Sequence, residues 1–105
     1  MEREIPRLKA EFFKALGHPL RIRVLELLSD GEQSVSALLE QVGAEQPHLS
    51  QQLAVLRRAG FVTTRREGAT VMYALADARI VELLAVSRQM LIDLVTATRD
   101  ELQGA

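Results

Sequence analysis

The chain has 105 residues, 48% of them apolar and 26% charged, with a formal net charge of -1, which is the size and composition of one soluble domain. Without a single cysteine there is no disulfide framework, thiolate metal site or cysteine nucleophile. No run of about 18 apolar residues exists to span a membrane, and the charged opening MEREIPRLK lacks the apolar region of a secretion signal, so a cytoplasmic location is expected.

From Ile5 to Leu16, apolar Ile5, Leu8, Phe12 and Leu16 recur at helical spacing, predicting a first helix over about 5–16. Gly17-His18-Pro19 interrupts it, and Pro19 suits the first turn of a second helix through Ile22, Leu25 and Leu28, closed by Ser29-Asp30-Gly31. Ser34 is placed to cap a short third helix bearing Val35, Leu38, Leu39 and Val42, and Gly43 supplies a left-handed stop.

A fourth helix is expected over about 46–59, because Pro47 is tolerated only in a first turn and Ala59-Gly60 ends the pattern. Its Leu49, Leu53 and Leu56 form one apolar stripe. FVTTRR and TVMYAL, separated by Glu67-Gly68-Ala69, read as a β-hairpin. Asp77 could cap a last helix over about 77–102, with Ile80, Leu83, Leu84, Leu91, Leu94 and Val95 as its apolar face. The order is four helices, a hairpin and a helix (ααααββα): a mainly α fold with a small β-hairpin, in which the third and fourth helices and the hairpin make a winged helix-turn-helix. Residues 1–105 read as this single domain.

If the leucine stripe of the fourth helix faces inward, its other side presents Gln46, Pro47, His48, Ser50, Gln51, Ala54, Arg57 and Arg58. Gln can bond adenine bidentately, Ser and His can bond base edges or phosphates, and Ala54 has no bulk to hold the helix off a groove floor. Arg57 and Arg58 suit phosphates. Arg65, Arg66 and Thr70 flank the Gly68 turn, so the wing, 63–70, is expected on the minor groove or its phosphates. Residues 45–75 carry four arginines against two glutamates, a local +2 within a chain of net -1, and charge distribution bears on a nucleic-acid partner more than the sum does. An ordinary amphipathic helix with a solvated face would show the same stripe, but not a preceding short helix, a tight turn and an arginine-tipped hairpin together. An enzyme is unsupported: there is no Gly-rich phosphate loop, and two histidines with no cysteine offer no triad.

The blocks ALGHPLRIRVLELL (15–28), LSQQLAVLRRAGFV (49–62) and REGATVMYAL (66–75) resemble, in that order, the ArsR/SmtB family of small bacterial winged-helix regulators. The likeness runs from about Phe12 to Leu102. One departure is Gln52, where the family's recognition helix usually has His in a Ser-x-His-Leu pattern. The resemblance implies a homodimeric, sequence-specific DNA-binding transcriptional regulator of the repressor type, joined through its first and last helices. The residues agree: the last helix is apolar around much of its circumference, and Ile5, Leu8, Phe12, Leu84, Leu91, Leu94 and Val95 are the expected interface. Two-fold symmetry would then set two recognition helices on an imperfect inverted repeat of double-stranded DNA. A winged helix that binds another protein instead is the competing reading.

Metal-site positions carried over from the family are largely lost here. A Cys-Val-x-Asp site falls on Ser34-Val35-Ser36-Ala37, and an Asp-x-His…His-x-x-Glu site falls on Asp77, Arg79, Met90 and Asp93. Asp77 and Asp93 keep carboxylates, but neither imidazole survives, and Arg79 puts a cation where one would bind. Of the histidines, His48 faces DNA in this reading and His18 suits a capping role. A non-standard site built from His18 with Glu2, Glu4, Asp100 or Glu101 would favour nickel, cobalt or zinc. An organic effector, a regulatory partner protein and no ligand at all are the other expectations.

Overall fold

In the computed structural model, which describes residues 1–104, a short 3₁₀ turn (Glu2–Glu4) leads into α1 (Ile5–Ala15). There follow α2 (Pro19–Leu28), β1 (Gln33–Ser34), α3 (Val35–Val42), α4 (Gln46–Arg58), β2 (Val62–Glu67), β3 (Thr70–Leu75) and α5 (Arg79–Gly104).

The helix bounds follow local chemistry. Prolines open α1, α2 and α4, where the missing N–H costs no intrahelical bond. His18 Nδ1 accepts from the backbone N–H of Leu20 at 3.1 Å, and Ser34 Oγ from that of Ala37 at 3.1 Å; both are side-chain caps for otherwise orphaned donors. Gly43 (φ +70°) stops α3 in the left-handed conformation. Asp77, expected to cap the last helix, lies two residues ahead of its first residue, its Oδ1 accepting from the N–H of Arg79 at 2.9 Å.

The hairpin is tighter by one residue than expected: Glu67 pairs with Thr70, leaving Gly68-Ala69 as the turn. Gly68 takes the positive φ (+64°) at the first central position and Ala69 does not, the pattern of a type II′ turn. Phe61 lies outside β2 and is buried in the core instead. The sheet has a third strand that the hairpin reading omits. Gln33 and Ser34 pair with Tyr73 and Met72, giving the order β1-β3-β2. Two residues are too few for an alternating pattern.

Val24, Leu25, Leu27 and Leu28 of α2, Leu38 of α3, Leu49, Leu53 and Leu56 of α4, and Phe61, Val62 and Ile80 form one buried cluster. Of α5 only Ile80 is buried, and Leu84 packs half-buried on the core of its own chain. The rest of α5 projects: the molecule measures 60 × 40 × 23 Å with a radius of gyration of 16.5 Å, against about 13 Å for a compact chain of this length. No helix of the described residues is long and apolar enough to cross a membrane.

Candidate nucleic-acid interface

Helix α4 buries Leu49, Leu53 and Leu56 completely. This turns Gln46, Pro47, His48, Ser50, Gln51, Arg57 and Arg58 to the exposed side, with Ala54 half-buried between them. Ser50, Ala54, Arg57 and Arg58 line a shallow recess closed on its far side by Tyr73 of β3. Tyr73, half-buried against the core, is a hydrogen-bonding group at the helix–wing junction that the strand pattern alone does not single out.

The wing divides its two arginines. Side chains alternate across a strand, and directly paired residues share a face. Thr64 pairs with Tyr73 and Arg66 with Val71, so Arg66 lies on the face that meets α4. Arg65, paired with Met72, lies on the other. There its guanidinium is held by two carboxylates. Nε donates to Glu32 Oε2 at 2.8 Å, Nη2 donates to Glu67 Oε2 at 2.9 Å, and Nη2 also bonds Glu32 Oε1. Hydrogen bonding to Arg65 lowers the Glu32 carboxyl below its ordinary range, and the two carboxylates raise Arg65. Arg65, expected on DNA, is thus neutralised within its own chain. Arg57, Arg58 and Arg66 have no side-chain partner among the described residues.

Gln52, the family's histidine position, is turned inward. It is 7% exposed, the one buried polar residue described, and its Oε1 accepts from Arg21 Nη1 at 2.7 Å. Its sequence position carried the signal, because 49, 52, 53 and 56 lie on one helical stripe.

The rings of His18 and His48 stand 5.8 Å apart, tilted by 53°, a neighbourhood linking the α2 cap to the start of α4. It fits a metal poorly. In a neutral His18 whose Nδ1 accepts from Leu20, the proton sits on Nε2, where a metal would need a free lone pair. Nowhere among the described residues do three His, Asp or Glu side chains gather as a metal would need. Asp93 accepts from Gln89 Nε2 at 2.8 Å, and Asp77 is occupied on both oxygens by Arg79. Fourteen helical residues separate Arg79 from Asp93, about 20 Å, so one chain cannot bring Asp77 and Asp93 to a common ion.

Residues 18–64 match the model of the bacterial regulatory protein arsR family. The chain is 57% identical over 86 residues to the HTH-type transcriptional regulator Rv0081 of Mycobacterium tuberculosis, covering 81% of this chain and 75% of that one. It belongs to the ArsR family. A biofilm growth-associated repressor of Xylella fastidiosa is 44% identical over 75 residues, 71% of this chain and 66% of the repressor. The crystal structure of Rv0081 superposes with a TM-score of 0.84 at 52% identity, over 90% of this chain and 95% of that one. The homodimeric winged helix-turn-helix domain of Mb0332 from Mycobacterium bovis does so at 0.77 and 30% identity, over 88% and 84%. The fold is therefore the winged helix-turn-helix of a DNA-binding transcriptional regulator, and the relatives are not enzymes.

Proposed function

We propose that this regulator acts as a homodimeric repressor, with α4 in the major groove and the Gly68 wing against the neighbouring backbone. The carrying observation is the exposed face of α4. Gln46, His48, Ser50 and Gln51 supply base-reading groups at its start, and three arginines with no side-chain partner among the described residues (Arg57, Arg58, Arg66) supply phosphate contacts around them. The small, half-buried Ala54 between them keeps the middle of that face low enough to enter a groove. Thr70, at the wing tip, pairs with Glu67 and lies within reach of the same backbone.

The dimer reading rests on surface. The protomer exposes 7689 Å², where a compact monomer of 11.7 kDa would expose about 5,900 Å². Phe12 and Phe13 of α1 and Met90, Leu91, Leu94 and Val95 of α5 are each at least 40% exposed, and a second copy packed on both helices would cover them. An isologous seam of this kind sets the two recognition helices about one DNA turn apart, on an imperfect inverted repeat.

The test is fluorescence anisotropy on DNA from immediately upstream of the protein's own gene, in moderate salt, with and without nickel, zinc and cobalt. Tight, competitor-resistant binding unmoved by each metal supports sequence-specific DNA binding, with control by an organic effector, a partner protein or no ligand at all. Binding that changes with one metal would require a ligand set other than His18, Asp77 and Asp93 in one chain. Equal affinity for operator and random competitor would overturn sequence-specific recognition.

A further inference from the structure

Arg21 joins three elements. Its Nε donates to the carbonyl of Ala15 at 2.7 Å and its Nη2 to that of Lys14 at 3.3 Å, both at the C-terminal end of α1. Its Nη1 donates to Gln52 on α4 at 2.7 Å. A guanidinium is well matched to the carbonyl-rich, partially negative end of a helix. Its planar fork then fixes the direction in which the third bond leaves. Gln52 has no competing water-facing alternative, being 7% exposed, so releasing Arg21 would strand a buried amide oxygen. A second link lies at the other end of the recognition helix: Phe12 of α1 packs on Phe61, just beyond α4, with ring centroids 4.7 Å apart. Helix α1 is therefore tied to the recognition helix near its middle and just past its end.

We propose that Gln52, through Arg21, is a positioning residue that fixes α4 relative to α1 and so sets the separation of the two recognition helices on DNA. The inference rests on the dimeric DNA-binding reading above, in which α1 belongs to the seam. Gln52 then reads no base itself. It holds the helix at one angle to the seam, so that both copies meet their half-sites in register. With the tie cut, α4 keeps its leucine packing but samples a wider range of angles. A single half-site is engaged as before, whereas a rigidly spaced pair is not.

The experiment uses the full chain and DNA selected from a random pool by the wild-type protein. That DNA is then remade as the full site, as an isolated half-site, and with its half-sites moved apart or together by one to three base pairs. Gln52→Leu is expected to lose about ten- to hundredfold on the full site. On the half-site it should lose less than about threefold, and its spacing preference should flatten. Gln52→Glu, which keeps an acceptor on the guanidinium, should restore the sharp optimum. Arg21→Met cuts the same tie from its other end and should reproduce the flattening if Gln52→Leu does not yield a folded dimer by circular dichroism and sedimentation. Equal losses on full site and half-site, or an unchanged spacing profile in the folded variants, would overturn the proposal while leaving DNA recognition intact. Failure of the wild type to select any sequence would overturn both readings.

Discussion

Arg65 of the wing is bound through its guanidinium by Glu32, 33 positions earlier, on the far side of the three-stranded sheet. Glu32 precedes the edge strand β1, Arg65 sits on the opposite edge strand β2, and the pair crosses β3 between them. Both side chains are substantially exposed, at 51% and 36%, so the pair adds little to stability. Its consequence is electrostatic: it withdraws one of the wing's two cations from the surface offered to phosphate.

The two wing arginines should therefore be unequal. Arg66→Ala is expected to flatten the salt dependence of DNA binding by about one unit and weaken binding on any sequence. Arg65→Ala, which removes a cation already paired with Glu32 and Glu67, should flatten it by less. Glu32→Gln should tighten non-specific binding and steepen the slope. Affinity measured across a salt series checks all three, and equal slopes for the two alanine variants would show that DNA strips Arg65 from its carboxylates.

Asp77 gives a prediction in pH. Hydrogen bonds from the Arg79 side chain and then from its backbone N–H hold the Asp77 carboxyl at about 2, below the ordinary 3.8. A depressed carboxylate stabilises the fold fully above its unfolded value. That contribution fades as pH falls from about 4 through about 2. Asp77→Asn keeps an oxygen for the helix cap but has no charge to lose. Thermal melts followed by circular dichroism between pH 6 and pH 2 should show wild type more stable at the upper end and the two converging near pH 2. A constant gap across the series would mean that the ionised cap contributes nothing.

Most helix bounds were legible because they are written in local chemistry: Pro19 and Pro47 at starts, His18 and Ser34 as caps, Gly43 as a stop. Groups whose partners are distant in sequence were not. Glu32 gives no local sign that it will meet Arg65, and Arg21 sits in an apolar block where a charged residue reads as a solvated one. The two residues of β1 become a strand only because β3 offers an unpaired edge. Leu84 counts equally toward an apolar face whether that face meets its own core or a second chain, and here it meets the core.

Base reading and phosphate binding should separate on α4. Gln51, exposed at the start of the helix, is placed for one base pair, and Gln51→Ala should relax preference there at a cost of about 1–3 kcal/mol. Arg58, in the last turn, should behave as a phosphate contact, so Arg58→Ala weakens all sequences alike and reduces the salt slope by about one unit. Binding arrays with single-base operator variants distinguish the two. If both substitutions leave DNA affinity unchanged in a folded dimer, the exposed face of α4 serves a protein partner instead.

The projecting half of α5 should decide the assembly. Leu91, Leu94 and Val95 are 60%, 64% and 56% exposed, far more than residues that pack on their own core. A Leu94→Glu substitution keeps helix propensity nearly unchanged. By two-fold symmetry, however, it introduces two carboxylates into the seam at once. Desolvating them against an apolar surface costs more than about 3 kcal/mol, enough to make a monomer predominate at micromolar concentration. Sedimentation velocity should show that monomer, with α1 to β3 still folded and thermal unfolding dependent on the core around Phe61 and Leu53. DNA affinity should fall with it, because a single recognition helix holds only one half-site. A stable dimer with unchanged affinity would move the seam away from α5 and onto the Ile5, Leu8 and Phe12 strip of α1.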